Sequence, residues 1–194
     1  MTLDYFSHKG VDDNDKVLKQ LIDYLIKLKE QGCDFITIPC ISLHHYLPIL
    51  QQYIKIPIID TREVLSEFLY KKSILNVTIL CSSTSKENDL FKSSMNKKGI
   101  TYNYLSEEKQ NIIDKIILNI MQGEITKSKK LMHTVLENIP YSKSIIFGCT
   151  ELNLIADIST EHTVIDVLNL MASYTTQLGY KGLEQTNNKK DLLC

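Results

Sequence analysis

Short β-branched runs alternate with longer amphipathic stretches along almost the whole chain, and this rhythm limits the fold more than any other feature of the sequence. Phe35–Ile38, Ile56–Ile59, Val77–Leu80, Thr101–Tyr104, Ser144–Phe147 and Thr163–Ile165 read as strands, with Leu3–Phe6 as a weaker one. Between them, Asp13–Gln31 carries Val17, Leu18, Leu21, Ile22, Leu25 and Ile26 at helical spacing, and Gly32 ends it. Helices are also expected over Ser42–Tyr53 (despite Pro48), Thr61–Lys71, Lys86–Lys98, Ser106–Gly123 and Glu124–Asn138, with a short one from Glu151. A last helix is expected over Asp166–Leu178, followed by a frayed polar tail. Strands separated by helix-sized connections form parallel sheets covered on both faces. The expected fold class is therefore α/β, in two small lobes with parallel sheets flanked by helices. Residues 1–72 plus 166–194 would make the first lobe and 73–165 the second.

The bulk numbers exclude several alternatives. Lysine and arginine number 22 against 23 acidic residues, a balance that forms no basic surface for nucleic acid or membrane. No apolar run reaches the length of a bilayer span, and the N-terminus lacks the basic-then-apolar pattern of a signal peptide. A cytoplasmic protein with reduced thiols is expected. The five cysteines are irregularly spaced with no Cys-x-x-Cys pair, so neither a metal site nor a redox motif is expected.

In parallel α/β sheets ligands gather beyond the C-terminal strand ends. That rule selects Cys40–Ser42, Cys81–Ser85 and Gly148–Glu151. Cys40 and Cys149 occupy equivalent places, each after an apolar strand and before a helix, and Gly148 allows close packing ahead of Cys149. A thiol at a helix start is expected to have a lowered pKa. Two such thiols facing each other across a cleft could exchange a proton at one carbon, one thiolate removing it and one thiol returning it on the opposite face. The competing reading is that buried cysteines only pack. That reading is kept for Cys33, Cys81 and Cys194, and His8, His133 and His162 are read as surface residues.

The segment Ile145-Ile146-Phe147-Gly148-Cys149-Thr150-Glu151 resembles the second-cysteine motif of aspartate/glutamate racemases. Pro39-Cys40-Ile41-Ser42-Leu43-His44 resembles that family's first motif, Cys81-Ser82-Ser83-Thr84-Ser85 stands at its Gly-Thr-x-x-Thr loop, and Asp166 at its Asp-Thr before the last helix. The resemblance runs from about Leu3 to Leu178. It implies cofactor-independent racemisation, with no pyridoxal, of a small acidic amino acid, aspartate or glutamate, by Cys40 and Cys149 in a homodimer. Ser42, Ser82, Ser85 and Thr150 would bind substrate carboxylates. His44 would support Cys40, and Glu151 would either cap its helix or touch the site. The departures are Ile41 for the motif's Asn, Ser42 for its Thr, Cys81-Ser82 for Gly-Thr, and Met171 for the His of the last helix. The family's opening strand, glycine-rich loop and helix have no counterpart, so the first lobe is expected to be incomplete. A catalytically silent dicarboxylate-binding or partner-binding protein is the alternative, and a hydantoin-racemase or maleate-isomerase activity a third reading.

Overall fold

The computed structural model describes residues 6–7, 10–11, 14–137, 139 and 142–190. His8, Cys194 and Leu3–Tyr5 of the expected first strand lie outside them.

Four parallel strands form the larger sheet: β5 (Asn76–Leu80), β6 (Thr101–Tyr104), β7 (Ser144–Phe147) and β8 (Thr163–Asp166), in the order β6-β5-β7-β8. Each expected strand of this half is present, and the helical crossovers between them explain why they run parallel. The strands alternate across the sheet with period two. Leu80, Ile145 and Phe147 face α6 (Glu107–Met121) and α7 (Ile125–Leu136), while Val77, Ile79 and Ile146 face the opposite core. That opposite core receives Leu65 and Leu69 of α3 (Thr61–Lys71) and Met95 of α5 (Lys92–Lys97).

The smaller sheet has two parallel strands, β3 (Ile36–Thr37) and β4 (Ile58–Ile59). It packs in a third core with Val17, Leu21 and Leu25 of α1 (Asn14–Glu30) and Leu47 and Leu50 of α2 (Leu47–Tyr53). At the N-terminus, β1 (Phe6–Ser7) and β2 (Gly10–Val11) form an antiparallel hairpin, so Phe6 does not extend a parallel sheet.

Several local expectations are corrected. Ser42–Tyr53 is not one α-helix: a 3-10 helix, Ile41–Tyr46, runs into α2, where Pro48 lies in the first turn and costs no hydrogen bond. Lys86–Lys98 is split into α4 (Ser83–Glu87) and α5, with Asp89 at φ 43° in the turn between them. The segment after Cys149 is a 3-10 helix, Thr150–Ile155. The last helix, α8 (Val167–Lys190), continues through residues expected to fray. It packs against α3. Among the described residues no helix is long and apolar enough to cross a membrane.

Candidate active site

Cys40 and Cys149 occupy equivalent positions, each at the end of a strand segment and at the head of a 3-10 helix. The Cys40 carbonyl accepts the Leu43 amide at 3.1 Å, and the Cys149 carbonyl accepts the Leu152 amide at 3.1 Å. Gly148 is needed for the second placement. Its amide donates to the Leu80 carbonyl at 2.8 Å, and a Cβ there would sit 3.1 Å from Phe91 Cζ and 3.3 Å from Cys81 Cβ. Phe91 is fully buried and has no room to retreat.

Both thiols are half-buried, and they share one electrostatic environment. Cys149 Sγ donates to Glu151 Oε2 at 2.7 Å. The Glu151 charge acts on Cys40 as well, and Cys40 acts on Cys149. The expectation that helix starts would acidify these thiols fails. Burial pushes Cys40 from 9.0 up to about 11, and Glu151 adds to it. The Ser42 and Leu43 amides and the Ser42 hydroxyl pull the other way and do not outweigh burial. Cys149 is pushed well above 9.0 by burial first, then by the charge and hydrogen bond of Glu151. The 3-10 helices are short, so the amides they offer are few and desolvation dominates.

Three of the expected carboxylate-binding residues converge. Ser42 Oγ lies 3.0 Å from Ser82 Oγ and 3.1 Å from Ser85 Oγ, and the latter two are 3.2 Å apart. All three are buried. Ser42 comes from the 3-10 helix after Cys40, whereas Ser82 and Ser85 belong to the loop and helix after β5. The three hydroxyls bond one another. An entering carboxylate offers stronger acceptors, towards which each hydroxyl can rotate its hydrogen. Thr150 is not part of this cluster: its hydroxyl donates to Glu151 Oε2 at 3.1 Å. Of the two roles expected of Glu151, capping finds no side-chain bond, and its carboxylate bonds Cys149 and Thr150 instead.

His44 is fully buried and serves the backbone that carries Cys40. Its Nε2 donates to the Ile38 carbonyl at 2.8 Å, two residues before the thiol, and Nδ1 faces Asp60 Oδ1 at 3.3 Å. Asp60 is held in turn by Arg62, whose Nη2 donates to Oδ2 at 2.7 Å and Nε to Oδ1 at 2.9 Å. Burial opposes ionisation of Asp60, but the bonds from Arg62 and His44 hold its carboxyl far below the usual range. Ile41 is packed in the core with Leu65 and Ile79, so an apolar residue there fills core space.

Cys81 is fully buried, as expected of a packing cysteine, and Cys33 donates to the Leu28 carbonyl. His133 is exposed, but His162 is half-buried, its ring facing the Ser142 and Leu136 carbonyls at 3.1 and 3.3 Å. A separate cavity of about 600 Å³ lies between α3 and α8, lined by Phe68, Lys71, Lys98 and Tyr174 among others, and neither thiol borders it. The sequence reading missed two polar residues behind the serines, Gln110 and Asp114. Their signal was present: both lie on the apolar stripe of α6 with Ile113 and Ile117.

Comparison with known proteins bears on the family and the fold. The sequence model of the Asp/Glu/Hydantoin racemase family matches residues 6–177. The chain is 27% identical over 177 residues to the broad specificity amino-acid racemase RacX of Bacillus subtilis (strain 168), covering 87% of this chain and 76% of that protein. Its fold resembles that of an aspartate racemase homologue from Pyrococcus horikoshii OT3, with TM-score 0.70 and 20% identity over 84% of this chain and 74% of that one. It also resembles Picrophilus torridus aspartate racemase, with TM-score 0.67 and 17% identity over 80% and 68% of the two chains.

Proposed function

Because the chain belongs to the Asp/Glu/Hydantoin racemase family, we propose that it interconverts the enantiomers of a small amino acid by proton exchange between Cys40 and Cys149. One observation carries the reading: two thiols from separate sheets share the influence of a single carboxylate, Glu151, beside three convergent serine hydroxyls.

Ser42, Ser82 and Ser85 hold the substrate α-carboxylate by donating to it. The α-ammonium then brings positive charge towards the two thiols and Glu151. An opposite charge nearby favours the thiolate and offsets the burial that disfavours it. The reactive form has lost one thiol proton to solvent and so carries one thiolate and one thiol, with Cys149 Sγ beside Glu151 Oε2. The thiolate removes the α-hydrogen of one enantiomer, and the Cys40 thiol delivers a proton to the opposite face. For the other enantiomer the two cysteines exchange roles. The thiols supply both base and acid, so the proposed step calls on no cofactor. His44 and Thr150 act indirectly, through Ile38 and Glu151.

Aspartate and glutamate are the proposed substrates. The relationship to a broad-specificity racemase makes neutral amino acids part of the same test. A homodimer of two-lobed protomers is the proposed assembly, which light scattering can check. The test of function is incorporation of α-deuterium from heavy water, followed by NMR from each enantiomer across a panel of acidic and neutral amino acids. Wild type should exchange, and Cys40→Ala and Cys149→Ala should not racemise. A Cys149→Ala variant that racemises at the wild-type rate refutes the mechanism. The raised thiol pKa values favour one rival, a silent dicarboxylate binder. Its signature is calorimetric binding of aspartate or malate without any exchange.

A further inference from the structure

Asp114 is a buried acidic residue on α6, a helix whose Ile113, Ile116 and Ile117 belong to the hydrophobic core. Burying a polar side chain there is costly unless hydrogen-bond partners surround it. Two of its donors come from the loop after β5. The Ser83 amide donates to Oδ1 at 3.2 Å, and the Ser83 hydroxyl donates to Oδ2 in a short bond. The remaining one is Gln110, one turn earlier on the same face. Its Nε2 reaches Asp114 Oδ1 at 3.2 Å and also donates to the Cys81 carbonyl at 2.8 Å. The two side chains therefore grip the loop on both sides of Ser82. From the other end of α4, Lys86 Nζ donates to the Leu105 carbonyl at 2.8 Å, just before α6. An apolar pair at positions 110 and 114 would pack with less cost, so the polar pair has its physical rationale in the loop rather than in the helix.

We propose that Asp114 and Gln110 are positioning residues that hold the Cys81–Glu87 segment where Ser82 and Ser85 can receive the substrate carboxylate. The inference rests on the racemase reading above and adds to it a determinant of carboxylate binding on α6. Loosening the clamp lets the serines drift from Ser42, which sits on a different element. Substrate binding then weakens while the thiols, on other segments, keep their placement.

The test uses the full chain with Asp114→Asn, Ser83→Ala and the double variant. In Asp114→Asn, KM for the amino acid that wild type racemises should rise about tenfold, with kcat changed less than about threefold, as expected for loss of bonds that hold the carboxylate-binding loop in place. The double variant should be no worse than Asp114→Asn alone, because both changes break the same contact. Hydrogen exchange of the ligand-free protein should accelerate in residues 81–87 and remain unchanged in β7. A merely structural role would instead lower stability with KM unchanged, or speed exchange throughout the sheet, and either result overturns the proposal. So does strict additivity of the two substitutions. If wild type racemises none of the panel, the racemase reading fails. The exchange data then still decide the clamp: unchanged protection of residues 81–87 in Asp114→Asn refutes it.

Discussion

Ionisation of Cys40 gives the sharpest test of how burial governs this site. Its thiol is pushed from 9.0 to about 11, with burial the largest cause and Glu151 the next. At pH 8 a thiol of pKa 9.0 is about one-tenth ionised, and one of pKa about 11 about one-thousandth, so the thiolate is depleted about a hundredfold. Alkylation by iodoacetamide, followed peptide by peptide with mass spectrometry from pH 7 to 11.5, reads this directly. Steric shielding lowers the rate at every pH but does not move the midpoint, so the midpoint is the quantity to compare. In the folded protein it should lie near 11, and in the urea-unfolded chain near 9. Glu151→Gln removes the carboxylate charge and should lower the folded midpoint while leaving the unfolded one unchanged. The free enzyme's kcat/KM should climb with pH through 8 to 10 without a plateau, since the reactive thiolate is scarce until then. A folded midpoint at or below 9, or one indifferent to Glu151→Gln, refutes the argument that desolvation and this carboxylate set the thiol.

Further outcomes follow from the same geometry. Gly148→Ala drives a methyl against Phe91 and Cys81 and should cost about 1–3 kcal/mol in urea denaturation, with slower racemisation because Cys149 follows directly; an unchanged unfolding midpoint would show that the packing yields freely. His44→Ala leaves the Ile38 carbonyl without its donor and opens a cavity, so a loss of about 2–3 kcal/mol is expected from chemical denaturation, and a loss below about 0.5 kcal/mol would remove His44 from the support of Cys40. Stability should hold with pH up to about 9 and fall steadily above it, because the native chain keeps the protons on Cys40, Cys81 and Cys149 that the unfolded chain gives up. Thermal denaturation across that range checks it, and a flat profile argues against the raised values. Ile41→Asn should destabilise by about 2 kcal/mol or more without tightening substrate binding, since Ile41 is packed in the core; tighter binding would show that position 41 reaches the ligand.

The helices and strands that packed as expected are those with long periodicity. In α1 and α6 the apolar stripe recurs every three to four residues, and in β5 and β7 the residues divide cleanly between two cores. Where the pattern was short, the reading slipped. Lys86–Lys98 has the composition of one helix, but Asp89 breaks it, with both Tyr102 and Tyr104 hydroxyls donating to its carboxylate at 2.8 and 3.1 Å. Those partners come from β6, more than a turn of helix away in sequence, and no local window contains them.

By itself the sequence determined the family, the α/β class and the two cysteine motifs, because these depend on periodicity and on residues adjacent along the chain. Only the tertiary structure decided the state of those cysteines and the company they keep. Cys40 and Cys149 lie far apart in sequence, as do Ser42 and Ser85, or Ser83 and Asp114. The direction of a pKa shift follows from how deeply a group is desolvated and which charges face it, and both are properties of packing between elements rather than of any motif.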